Sequence, residues 1–312
     1  MPGLCYTELR VQEPAARVRR EILKRIQLQK GCKTMYQSLN FGLANVKETD
    51  FEQKLILAKK HGFTAVEAGG QEIIDNGAEK INALLEQYGM KISSSGLPFH
   101  PISVDDETFE NGLKTVAEHA AAIEAVGCDR CIIWIFPASD ERNKEENYAF
   151  HVKRLSAVAA ILKEHGIRLG LEFIGPYTGR KGKKYVFMYT AEEMLGLAKD
   201  CGDNVGLLFD AYHWYTGAHN KDVFDHIPDE SCLVSVHVND APVGDPLELP
   251  DSPRALPGET GMIDMACMMA GLRKLGYTGP VIAEPFSPKL AAMETDDEKV
   301  ACIKACIDKI WG

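Results

Sequence analysis

Four short segments decide the fold: residues 168–175 (RLGLEFIG), 205–213 (VGLLFDAYH), 233–241 (LVSVHVNDA) and 280–287 (PVIAEPFS). Each is an apolar run of strand length bounded by turn residues, and each carries one ionisable residue late in the run: Glu172, Asp210, His237 and Glu284. Four similar runs precede them, at 34–42 (TMYQSLNFG), 64–69 (TAVEAG), 91–98 (KISSSGLP) and 130–137 (RCIIWIFP). The intervening segments, such as FEQKLILAKKHG, TVAEHAAAIEAVG and MLGLAKDCG, repeat their apolar residues with helical period. Several stop at a glycine (Gly62, Gly89, Gly127, Gly166, Gly276), and Thr190 ahead of Glu192 and Glu193 reads as a helix N-cap.

Strict strand–helix alternation implies a parallel sheet. Eight units starting near residue 34 could close into a (β/α)8 TIM barrel or wind into an open sheet. No glycine-rich phosphate fingerprint follows the first strand, and the late polar residues suit the mouth of a barrel, where such folds place their sites. The 312 residues fit one barrel, at about 250 residues, with an extension. We therefore expect an α/β (β/α)8 barrel over 34–312, preceded by an N-terminal helical extension over 1–33. The helical stretch 14–30 is basic and suits packing against the barrel or a neighbouring subunit, with a nucleic-acid arm as the alternative.

Composition narrows the classes. The formal charge of −10 opposes general affinity for nucleic-acid backbones or anionic membranes. No apolar run approaches the roughly 18 residues of a membrane span, and the N-terminus lacks a basic-then-apolar signal. The nine cysteines are odd in number and show no pairing framework, as expected of reduced thiols. Cys128 and Cys131 have redox-motif spacing, yet lie where a helix feeds an apolar strand. These features together predict a cytoplasmic protein.

Three carboxylates converging in a partly buried mouth would repel one another unless a cation joined them. Glu172, Asp210, Glu284 and a neutral His237 suit one divalent ion; Mn²⁺ is expected, with Co²⁺, Zn²⁺ and Mg²⁺ also compatible.

The segments LGLEFIGP, LLFDAYHW, VSVHVNDAP and VIAEPF resemble strands five to eight of the xylose-isomerase-like TIM-barrel superfamily. That group includes ketose 3-epimerases, inosose isomerases and dehydratases, hydroxypyruvate isomerases and the endonuclease IV nucleases. The resemblance implies that Glu172, Asp210, His237 and Glu284 are metal ligands and that His213 contacts substrate. It also implies that Glu172 and Glu284 act as catalytic base and acid, isomerising or epimerising a keto-sugar or related polyol through a metal-stabilised enediolate. Dehydration of an inosose or keto-sugar is the alternative. An abasic-site nuclease is a second one, but its three-zinc site needs an Asp-x-His where this chain reads DSPRALPGETG.

That stretch supplies Arg254 as a candidate substrate contact. Ketose 3-epimerases carry an arginine shortly after the ligand histidine, where this chain has Ala241, Pro242 and Val243. Further candidate contacts are Glu67, His100, Trp134 and Asp240, and Asn239 could orient His237 or the substrate. Residues 176–189, with Arg180, Lys181, Lys183 and Lys184, and the proline-rich 242–260 are candidate lids, the first a candidate phosphate or carboxylate binder. A small sugar or polyol is the expected partner, without nucleic acid or membrane, in a chain that could form a homo-oligomer.

Overall fold

The computed structural model describes residues 34–312; the expected N-terminal helix and the rest of 1–33 lie outside them. The strands are β1 (Tyr36–Leu39), β2 (Ala65–Val66), β3 (Lys91–Ile92), β4 (Ser95–Gly96), β5 (Arg130–Ile135), β6 (Ala138–Ser139), β7 (Arg168–Phe173), β8 (Tyr185–Val186), β9 (Val205–Asp210), β10 (Leu233–Val238) and β11 (Pro280–Ala283). Nine of them form one sheet in the order β3-β2-β1-β11-β10-β9-β7-β5-β4, with parallel pairings throughout. The two ends of that list are the two halves of the single run predicted at 91–98. Its first half bonds to β2 and its second to β5, so the barrel comes together on this segment.

Every predicted run contains strand, though shorter than its apolar pattern. Of 64–69 only Ala65–Val66 is strand, though ladder bonds run further, Glu67 N–H donating to Leu39 O at 2.9 Å and Ala68 N–H to Ser94 O at 3.4 Å. Helices pack outside by their apolar stripes: Phe51–Lys60 buries Phe51, Leu55 and Ala58. Burying each large apolar side chain stabilises by about 1.5–3 kcal/mol. Thr190 caps the helix Ala191–Cys201, its hydroxyl accepting from Glu193 N–H. Gly89 and Gly276 end their helices at φ of 62° and 79°, a conformation that penalises a Cβ.

Strand register sets the interior. Trp134 stands opposite Glu172 and His237 opposite Asp210. Parallel register partners point the same way, so these side chains share the inner face. No helix among the described residues is long and apolar enough to cross a membrane. None of the seven described cysteines is in a disulfide, and burial pushes Cys128 up to about 12 and Cys131 higher, which leaves the pair unreactive.

Candidate metal centre

Glu172, Asp210 and His237 lie on β7, β9 and β10, and Glu284 follows β11, still in the ladder through its N–H to Val238 O at 3.0 Å. All four are buried, and each offers one ligand atom within 4.8 Å of the others. His237 Nδ1 is 3.3 Å from Glu284 Oε2 and 3.7 Å from Glu172 Oε1. Glu172 Oε1 and both ring nitrogens of His237 are buried without a hydrogen-bond partner. Buried polar atoms are normally satisfied, and a divalent ion would satisfy these. The donor set therefore fits such an ion.

Asp210 is held from both sides. Its Oδ1 accepts Tyr212 N–H (2.7 Å) and His213 N–H (2.9 Å), capping the helix Ala211–Thr216. Its Oδ2 accepts Asn239 Nδ2 at 2.9 Å, so Asn239 orients Asp210 and not its neighbour His237. Any Cβ on Gly175 would lie 2.1 Å from His213 O, so only glycine permits this approach. Through it Gly175 N–H donates to His213 Nδ1 at 3.2 Å, leaving the neutral ring with Nε2–H as donor. Burial, then the Arg254 charge, hold His213 well below its ordinary value.

Arg254 reaches the same cluster. Its Nη1 donates to Glu284 Oε2 (2.8 Å) and Asp210 Oδ2 (3.3 Å), and its Nη2 to Asp251 Oδ1 (2.9 Å). Nη2 also sits 3.2 Å from His213 Nε2, a contact between two donors that is packing only. Three carboxylates, one guanidinium and a divalent ion sum to zero (−3 + 1 + 2), a balance the four ligands lack by themselves.

In the metal-free cluster the titrations split. Burial, then the charge of Glu284, push Glu172 well up, and burial raises Asp210 to about 6 against the pull of Arg254. Burial would also raise Glu284, but His237 and Arg254 together pull it well below the carboxylate range. His237 is raised to about 10, since Glu284 and Glu172 outweigh its own burial.

A cavity of about 390 Å³ opens over Glu172, His237 and Glu284, with Trp134 and His100 in its wall. The His100 and Trp134 ring centroids are 4.5 Å apart, and Phe136 meets Trp134 at 4.4 Å. Trp134 thus stands in the wall over the cluster. His100 lines the cavity as expected of it, but Nε2–H donates to Trp134 O and Nδ1 accepts Ser103 O–H, so it presents a ring face and no free nitrogen. Glu67 is buried at the mouth, accepting Asn40 Nδ2 (2.6 Å) and Ser94 Oγ (2.5 Å), with no salt bridge among the described residues.

Asp240 is corrected. Its carboxylate accepts the N–H groups of Ala241, Thr260, Gly261 and Ile263 at 2.7–3.0 Å, which turns it away from the cavity. With the Asp240–Ala255 bridge, these bonds fix the loop that delivers Arg254. Asp240→Ala should cost about 3 kcal/mol or more, because several buried N–H groups lose their acceptor; an unchanged denaturant midpoint would contradict this role.

The basic loop is consumed elsewhere. Lys183 pairs with Asp140 (2.7 Å), Lys181 with Glu248 (3.7 Å), and Arg180 donates to Gly175 O while stacking on Tyr189. Strands β6 and β8 pair antiparallel and pin it further. A larger cavity of about 600 Å³ lies at the strand starts, beside Gly206 and Cys232, away from the ligand cluster.

The xylose isomerase-like TIM barrel family model matches residues 55–306. The chain belongs to this family. An inosose isomerase of Bacillus velezensis is 23% identical over 278 residues, covering 85% of this chain and 95% of the relative. A xylose isomerase domain protein from Alicyclobacillus acidocaldarius superposes with a TM-score of 0.78 at 26% identity, covering 89% of this chain and 98% of that one. The IOLI protein with a bound zinc atom superposes at 0.76 and 18% identity, covering 89% and 98%. Within this xylose isomerase-like barrel, the loop after β10 brings Arg254 against Glu284 and Asp210. Sequence spacing did not show this contact, since only the folded loop brings Arg254 to the cluster.

Proposed function

We propose that this chain is a divalent-metal-dependent isomerase or epimerase of a keto-sugar or cyclic polyol ketone. The observation that carries the reading is the pair Glu172 and Glu284, which line one cavity beside His237 and beneath the Trp134 wall. The inosose isomerase relative supports the substrate class. A divalent ion, expected to be Mn²⁺, would be held by Glu172, Asp210, His237 and Glu284, and would polarise substrate oxygens as a Lewis acid.

The chain's own residues do the rest. The rings of Trp134 and His100 cover the C–H face of the substrate and exclude water. His213 would donate from Nε2–H to a substrate oxygen, while Arg254 holds Glu284 and Asp210 in place. Of the two glutamates, one removes the proton from the carbon beside the carbonyl and the other returns a proton, giving the enediolate and then product. Dehydration would follow if a hydroxyl left from the same enediolate. For the nuclease alternative, only one ligand cluster is found among the described residues, and the −10 charge opposes DNA.

The test is turnover of inososes and ketohexoses in D₂O. Product should carry deuterium on the carbon next to the carbonyl. Turnover with no deuterium incorporation would mean a hydride shift and would refute proton transfer by the glutamates.

A further inference from the structure

A second, polar chamber of about 270 Å³ opens beside the cavity over the ligands, and the two share Gly96 and Ile132 in their walls. A Cβ on Gly96 would meet no atom within 4 Å, so a side chain at this shared position has room to stand. Asn40, Lys54, Glu67 and Glu72 line the chamber. Lys54 Nζ bonds Glu72 Oε1 at 2.6 Å, and Asn40 Nδ2 bonds Glu67 Oε2 at 2.6 Å. An ammonium has three donors and a carboxylate about four acceptor positions, so each pair keeps capacity for a guest that both donates and accepts. Hydroxyl groups do both.

We infer that the substrate is a neutral, two-part polyol ketone, its reacting part over the ligands and a second hydroxyl-bearing unit in this chamber. The inference rests on the keto-sugar reading above. Charge decides against a phosphate there: two carboxylates face one ammonium, and that ammonium is already paired. Lys181 and Lys183 are paired elsewhere, and none of the cations of 176–189 lines either cavity. The chamber volume, about 270 Å³, leaves room for a second polyol unit.

The test is calorimetric binding to the Mn²⁺-loaded full chain of D-fructose, of isomaltulose (fructose bearing a glucosyl unit) and of fructose 6-phosphate. Isomaltulose should bind at least about tenfold more tightly than fructose, from the few extra hydrogen bonds, and the phosphate should bind weakest. Gly96→Val, which fills the shared wall, should bring the isomaltulose-to-fructose affinity ratio towards one. Asn40→Ala should do the same without adding bulk. Fructose binding as tightly as isomaltulose, the phosphate binding most tightly, or a ratio unmoved in both variants each overturns the inference. If Mn²⁺ binds but none of the three ligands does, the keto-sugar reading falls and this inference falls with it.

Discussion

Glu172→Gln and Glu284→Gln should each lower turnover by on the order of 10²–10⁴, the usual contribution of a positioned acid or base. Glutamine keeps the side-chain shape and an oxygen ligand but cannot accept the proton. The two variants should also differ from ligand losses such as Asp210→Asn or His237→Ala, whose first defect is weaker ion binding. The measurement is kcat at saturating Mn²⁺ together with the exchange of substrate protons for solvent deuterium. The variant lacking the base should neither turn over nor exchange. A variant of either glutamate that keeps parental kcat with the ion bound removes that residue from proton transfer.

Chelation should abolish activity and added Mn²⁺ or Co²⁺ should restore it, with ion binding that strengthens as pH rises. The sign follows from the metal-free cluster. Burial and the charge of Glu284 push Glu172 up, and His237 is raised to about 10, so near neutral pH the imidazole holds a proton in the metal-free protein. A bound ion needs a neutral imidazole, so binding expels about one proton from His237. Affinity should therefore climb from neutral pH until His237 loses its proton unaided near pH 10. Calorimetry in buffers of different ionisation enthalpy counts the protons. Binding with no proton release, or full activity in a verified metal-free preparation, contradicts this account.

The ligand quartet was legible because two rules act locally. Period-two alternation places a residue inside or outside a strand, and a polar residue late in a parallel strand reaches the mouth of a barrel. Glu172, Asp210, His237 and Glu284 satisfy both. Trp134 was half legible: alternation showed two pairs of side chains on β5, and the register opposite Glu172 chose the inward one. Asp240 misled because it closely follows His237 in the chain, and His100 reaches the cavity wall with its ring only. Their polar atoms had nearer partners, Trp134 O and Ser103 for one and four loop N–H groups for the other. Hydrogen-bonding capacity spent on a neighbour is invisible until the neighbour's position is known.

By itself, the sequence determined the alternating strands and helices, the closed parallel architecture they imply, and the four side chains able to share a divalent ion. These follow from periodicity and side-chain chemistry, which depend on the chain alone. Only the tertiary structure decided that Arg254 neutralises the ligand cluster, that the lysines of 176–189 face other partners, and that a polar chamber adjoins the aromatic cavity. Each of these is set by how loops fold back over the barrel mouth. A loop's path depends on partners far away in sequence, such as Asp240 gathering the N–H groups of Thr260, Gly261 and Ile263, and no local pattern records it.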